Sequence, residues 1–271
     1  MSTTVPELLQ RAREGRRLVI LTAYDYGGAR LVAAAGVDTI MVGDSLGMVV
    51  QGRANTLGVT LDQMVYHCEM VSRGAPYALV IGDLPFMSYQ EGPAQAVRSA
   101  GRLVKEGGCG CVKLEGGMRM AEQIAAIVRA DIPVMAHIGL TPQSIHQLGG
   151  YRVQRDADRL LADALAVQEA GAWSVVLECV PREVAEQITD RLTIPTIGIG
   201  AGPDCSGQVL VFHDILGLSD GKPMRFVKRY ADLQAGVTAA VRAYKDEVEA
   251  GLFPAAEHCF TAGGSGSQGE R

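Results

Sequence analysis

Short apolar runs that end in a polar residue alternate along this chain with helical segments, and that alternation limits the fold more than any other feature. Residues 40–42 (Ile-Met-Val) lead through Gly43 into Asp44 and Ser45. The runs 80–83, 112–115, 134–137 and 175–178 close on Asp83, Glu115, His137 and Glu178. The pattern predicts strands at 17–23, 40–42, 78–81, 111–114, 134–136, 174–177 and 196–199, with a last β-like run at 208–212. Helices are expected at 4–14, 27–35, 61–72, 94–105, 118–129, 156–170, 182–191 and 228–250. Gly36, Gly74, Gly107 and Gly171 follow four of these helices, as C-cap residues do before the next strand.

Alternating βα units build either an open doubly wound sheet or a closed (β/α)8 barrel. Eight strands in 271 residues, without a GxGxxG turn after the first, favour the α/β (β/α)8 TIM barrel, which takes about 250 residues. The helix at 4–14 is expected to plug the bottom of the barrel, and the helix at 228–250 forms a C-terminal extension. No linker or shift in composition divides residues 1–262, so they read as one catalytic domain. The polar, glycine-rich 263–271 (GGSGSQGER) is expected to be a disordered tail.

Thirty acidic and 25 basic residues are interspersed for a net charge of −5, which argues against a nucleic-acid partner. No apolar stretch approaches the roughly 20 residues needed to span a membrane. The start MSTTVPELLQ lacks the apolar core of a secretion signal, and the six cysteines form no CxxC pair. A cytoplasmic protein with buried thiols is the expectation.

In a closed barrel the C-terminal strand ends share one mouth, so Asp44, Asp83, Glu115, His137 and Glu178 are expected to meet there. Lys113 lies two residues before Glu115, so both point inward while Leu114 faces the helices. Inward acids among Val, Ile and Leu need a cation. Oxygen donors with no zinc-type cysteine or histidine spacing nearby imply a hard metal, Mg2+ by preference. Glu115 is compatible with direct ligation, ligation through water, or pairing with Lys113. His137 reads equally as a core residue or a substrate contact, and His67, inside a helical run, as structural. The glycine loop at 198–202 (GIGAG) is a weak signal for phosphate.

Nine segments complete the picture: TAYD (22–25), VGDSLGMVVQG (42–52), RGAP (73–76), DLPFMSY (83–89), VKLEGG (112–117), HIGLTPQS (137–144), LECVP (177–181), IGIGAG (197–202) and EHCF (257–260). In this order they resemble the ketopantoate hydroxymethyltransferase family across residues 4–260. Ser206 and Cys259 depart from its commoner residues, away from the acids.

The resemblance implies transfer of a one-carbon unit from 5,10-methylenetetrahydrofolate to 3-methyl-2-oxobutanoate, giving 2-dehydropantoate for pantothenate synthesis. It also implies Mg2+ held by Asp44, Asp83 and Glu115, and a 2-oxoacid contacted by Asp44, Ser45, Asp83 and Lys113. His137 is expected to join those contacts, and Glu178 to act as the general base. A homodecamer is expected. Two rivals share parts of this logic: a Mg2+-dependent 2-oxoacid lyase or mutase on the same barrel, and a non-catalytic 2-oxoacid sensor, which would need no base.

Overall fold

A computed structural model describes residues 2–219 and 221–260. In chain order the elements are α1 (Val5–Arg13), β1 (Leu18–Thr22), α2 (Tyr26–Ala34), β2 (Thr39–Val42), the short α3 (Leu46–Val49), α4 (Leu61–Gly74) and β3 (Leu79–Asp83). There follow α5 (Pro93–Lys105), β4 (Cys111–Glu115), α6 (Ala121–Arg129), β5 (Val134–Gly139), the short α7 (Ile145–Leu148), α8 (Ala157–Glu169) and β6 (Ser174–Glu178). The chain then forms α9 (Arg182–Arg191), β7 (Thr196–Ile199), β8 (Gly207–Leu210), α10 (Phe212–Leu216) and α11 (Leu233–Glu249). The strands are parallel and close into a barrel in the order β1 to β8, with β8 pairing back on β1. The expected (β/α)8 TIM barrel is therefore the fold.

Alternation along each strand divides the apolar residues into two populations. Leu18, Ile20, Met41, Ile81, Cys111, Met135, Val176, Ile197 and Val209 fill the barrel interior, while Ile40, Val42, Val80, Val112, Leu114, Val134 and Leu177 pack against the surrounding helices. The interior cluster is closed at the bottom by Val5 and Leu8 of α1. Thr4 caps that helix by accepting from the Glu7 amide, and Glu7 lies in its first turn. The helix at 4–14 is thus the plug expected.

Several boundaries differ from expectation for local reasons. Gly74 does not follow α4 but ends it, because the helix passes so close to α2 that a Cβ there would fall 2.6 Å from the Tyr26 carbonyl oxygen. At Gly107 the demand is again space, with Leu103 O and Cys68 Cβ within 3 Å of a built Cβ, and the left-handed residue is Gly108. The last strand ends at Leu210 and Phe212 opens α10, its amide donating to Thr22 Oγ1 at 2.9 Å. The final helix starts five residues later than expected, at Leu233, where the Asp232 side chain caps it. The tail at 263–271 lies outside the described residues.

No helix lies between β7 and β8, which are joined through 200–206, and α11 stands away from the barrel with all of its residues exposed. The outer surface of β1 and β8 is consequently bare: Val19, which faces outward between Leu18 and Ile20, is 58 % exposed. No described helix is long and apolar enough to cross a membrane.

The plug carries a stability prediction. Leu8→Ala removes a buried side chain from the base of the interior cluster and is expected to cost about 2–5 kcal/mol in urea unfolding.

Candidate active site

The residues at the C-terminal strand ends do converge. They line one cavity of about 580 Å3 that takes in Asp44, Ser45, Asp83, Lys113, Glu115, His137 and Glu178. Strand register sets their neighbours: Asp83 lies opposite Lys113, and Glu115 opposite His137. These pairs share the inner face, so their side chains meet inside the barrel.

Lys113 donates to both Asp83 oxygens, Oδ1 at 2.7 Å and Oδ2 at 2.8 Å, with both side chains buried. The Asp83 Oδ2 atom also accepts from the Asp44 amide at 3.3 Å, which ties the loop after β2 to β3. Burial alone would push the Lys113 ammonium down, but the fields of Asp83, Glu115 and Asp44 prevail and hold it above its ordinary value. Lys113 therefore stays charged.

One ammonium faces three buried carboxyl groups. Burial, followed by the field of Asp83, raises Asp44 from 3.8 to about 7. Burial likewise lifts Glu115 well above the carboxylate range. Among the described residues no three His, Cys, Asp or Glu side chains already form a metal-holding group. The donor set still fits a hard cation: Mg2+ commonly takes one or two carboxylates and completes its shell with water and substrate oxygens. Asp44 and Asp83, linked by the amide contact, suit that role better than a closed three-carboxylate cage.

His137 lies between the two walls of the cavity. Its Nδ1 is 3.6 Å from Glu115 Oε1 and its Nε2 3.3 Å from Glu178 Oε2, close approaches without hydrogen-bonding alignment. The Glu178 side chain is 16 % exposed, against 2 % for Glu115, so it keeps access to the open cavity. Ser45 lines the mouth and shares a 2.8 Å hydrogen bond with the Tyr24 hydroxyl. His67 sits behind this group, Nδ1 2.5 Å from the Tyr24 carbonyl, and is structural as expected.

The geometry can be set beside known proteins. A family model described as ketopantoate hydroxymethyltransferase matches residues 2–256. The 3-methyl-2-oxobutanoate hydroxymethyltransferase of Pelobacter propionicus is 56 % identical over 260 residues, covering 95 % of this chain and 97 % of its own. The chain belongs to the ketopantoate hydroxymethyltransferase family. The protein of the same name from Trichlorobacter lovleyi is 56 % identical over 261 residues, covering 95 % of this chain and 98 % of its own. A solved 2,3-dimethylmalate lyase, described as a member of the PEP mutase/isocitrate lyase superfamily, aligns with a TM-score of 0.61 at 21 % identity. It covers 96 % of this chain and 93 % of the lyase. At that identity the likeness to the lyase is one of fold alone.

In this member of the ketopantoate hydroxymethyltransferase family, strand-end position does not account for every residue that holds the acids. Gln143, in a 3-10 turn at Pro142–Ser144, is buried and sends its side-chain amide to Asp44 Oδ2 at 2.9 Å, while its backbone N–H donates to Glu115 Oε2 at 3.0 Å. Only its place in the HIGLTPQS segment marked it in the sequence. Two glycine-bearing loops are explained by packing. A Cβ at Gly47 would lie 2.7 Å from Val59 Cγ2, so this glycine packs the helical turn α3 on its own loop, not on a ligand. In the 198–202 loop, the Phe226 ring fills the space over Gly200 and the Arg182 stem the space over Gly202, which leaves no cradle for phosphate.

The raised carboxyls make stability depend on pH in a defined direction. Below about pH 4 Asp44 is protonated in folded and unfolded chains alike. Between 3.8 and about 7 the unfolded chain releases this proton while the folded chain retains it, so stability falls as pH rises and the loss is complete above about 7. Urea unfolding in the presence of a chelator should show this slope, and Asp44→Asn should make it shallower; an unchanged slope would mean that Asp44 does not titrate in that window.

Proposed function

We propose that the chain transfers the one-carbon unit of 5,10-methylenetetrahydrofolate to 3-methyl-2-oxobutanoate as a hydroxymethyl group, giving 2-dehydropantoate for pantothenate synthesis. One observation carries the reading within the family: a cation-seeking acid group on β2 to β4 faces, across a single cavity, a separate and more exposed carboxylate on β6. Removing the C3 proton of a 2-oxoacid places negative charge on the ketone oxygen, so the reaction needs positive charge at one wall and a base at the other.

Asp44 and Asp83 would hold Mg2+, with Glu115 reaching it through water; when bound, the metal supplies Lewis-acid stabilisation at the ketone oxygen. Lys113, kept charged by the surrounding acids, adds positive charge on the same wall. Ser45, oriented by Tyr24, lies where it can donate to the oxoacid carboxylate. Glu178 accepts the C3 proton. His137 packs beside that carboxylate and lines the substrate space, which favours its reading as a substrate contact. Hydrolysis of the donor's iminium form breaks its carbon–nitrogen bond and releases tetrahydrofolate and a one-carbon unit at the formaldehyde level. C3 of the enolate forms the new carbon–carbon bond to that carbon, and the oxygen on that carbon, supplied by water, takes up a proton to become the hydroxyl.

A cavity of about 580 Å3 exceeds what a five-carbon acid fills and falls within the roughly 300–1,000 Å3 of ligand sites. Its outer part is lined by Arg53, Lys222, Met224, Phe226 and Arg229. Apolar surface mixed with positive charge suits a heteroaromatic donor with an anionic tail. A lyase or mutase reaction would use the same acids, yet the lyase likeness extends only to fold. A sensor would have no use for Glu178 opposite the acids.

Self-association also belongs to this proposal. The fully exposed α11 carries Leu233, Val237, Val241, Tyr244 and Val248 along one stripe, and the outer surface of β1 and β8 lacks a covering helix. Such a stripe, together with a separate uncovered strand surface, supports a homo-oligomer, with the decamer as the family's expected form. The cysteines are all free and five of the six are buried, which supports a cytoplasmic location.

Proton NMR in D2O without folate tests the chemistry. With Mg2+, the C3 proton of 3-methyl-2-oxobutanoate should exchange. Chelation should abolish the exchange, and Glu178→Gln should slow it by about 10²–10⁴-fold. Binding without exchange would favour the sensor. Light scattering tests assembly: Val237→Asp combined with Val241→Asp should lower the particle mass, and an unchanged mass would exclude α11 from the interface.

A further inference from the structure

The side chain of Gln143 is fully used. Its Nε2 donates to Asp44 Oδ2 and to the Leu84 carbonyl, each at 2.9 Å. Its Oε1 accepts from the Tyr89 hydroxyl at 2.7 Å and from Gln90 Nε2 at 3.3 Å. The Leu84 carbonyl can only accept, and Oε1 is the nearer of the two acceptors of the Tyr89 hydroxyl proton, so the amide faces Asp44 with its NH2 group. The backbone N–H of the same residue donates to Glu115 Oε2 at 3.0 Å. A single buried residue thus fixes carboxylates from two different strand ends.

The segment carrying Gln143 is itself anchored at the opposite wall. The Leu140 amide donates to the Glu178 carbonyl at 2.8 Å. Gly139, at φ 92°, passes so close that a Cβ would fall 2.3 Å from that same carbonyl oxygen. Residues 139–143 therefore run from the backbone of the proposed base to the side chains of the proposed metal acids. A change in the loop would move both walls.

We propose that Gln143 is a positioning residue that presents Asp44 and Glu115 to the divalent cation, with Tyr89 holding its amide in the required orientation. This rests on the metal reading above. Asp44 Oδ2 is engaged by Gln143, which leaves Oδ1 as its freer oxygen, and Glu115 is similarly held through Oε2. Outer partners that orient metal-binding side chains typically change metal affinity by about 10–100-fold when removed. Gln143 touches neither the C3 carbon nor the metal in this role, so it acts through the two acids.

The test is binding of Mn2+, followed by electron paramagnetic resonance, to the full chain in the presence of 3-methyl-2-oxobutanoate, with circular dichroism as the check on folding. Gln143→Met keeps the length of the side chain and removes its hydrogen bonds. It should raise the Mn2+ dissociation constant at least tenfold. Tyr89→Phe leaves Gln143 in place and removes its orienting proton together with the hydroxyl's contacts to the Glu115 backbone, and should raise the constant about threefold. It decides the matter if Gln143→Met does not fold. Saturating Mn2+ should return much of the lost C3 exchange in both variants, since the base is intact, whereas a general loss of structure would not respond to metal. A folded Gln143→Met protein that binds Mn2+ within twofold of wild type, or Tyr89→Phe with an unchanged constant where the first does not fold, would overturn the proposal. A wild-type chain that binds no Mn2+ would overturn it together with the metal reading.

Discussion

The ion pair between Lys113 and Asp83 is the interaction on which the mouth of this barrel depends. Both partners are buried, and the ammonium reaches both oxygens of the carboxylate. Register makes this possible, because Asp83 and Lys113 are paired positions on neighbouring strands. The pair also leaves an imbalance, since Asp44 and Glu115 remain buried nearby without ammonium partners of their own. Each answers by holding its proton more tightly. A barrel built only for stability would place hydrocarbon there, as it does one layer below with Ile81, Cys111 and Met135.

Polar groups at this depth are tolerated because the rest of the barrel is so well filled. The plug from α1 and the interior layer close the bottom, so the acids meet solvent and substrate only from above. Hydrogen bonds then bind the strand ends to one another: the Asp44 amide to Asp83, Tyr89 to Gln143, Gln143 to Asp44 and Glu115. A cation entering such a place would meet oxygen atoms already fixed in direction. The cost of holding them there is carried by folding, before any ligand arrives.

The barrel and most of its site were legible in the sequence, for different physical reasons. Apolar alternation named the strands, and the period-two rule alone put Lys113 and Glu115 on the inner face with Leu114 outside. Strand-end position brought Asp44, Asp83, His137 and Glu178 to one cavity. Gln143 escaped because its role comes from a loop that folds back over three strand ends, which no periodicity encodes. Gly47 and Gly74 escaped for a related reason: their Cβ positions are taken by Val59 and by the backbone of Tyr26, and such contacts exist only after packing. The 198–202 glycines read as a possible anion loop, yet Phe226 and Arg182 occupy the space above them.

The same distinction explains why a shared barrel does not settle a shared reaction. The likeness to a 2,3-dimethylmalate lyase at 21 % identity covers 96 % of this chain, and strand ends are where any such barrel keeps its chemistry. What separates reactions on this scaffold is which group stands opposite the acids and what the remaining cavity admits. Here Glu178 stands there, with His137 between it and Glu115, and the outer cavity is lined by Arg53, Lys222 and Arg229 with Met224 and Phe226. A carbon–carbon lyase needs space for its leaving fragment. On the proposed one-carbon transfer, the wide, partly basic outer wall would admit a donor much larger than the unit it delivers.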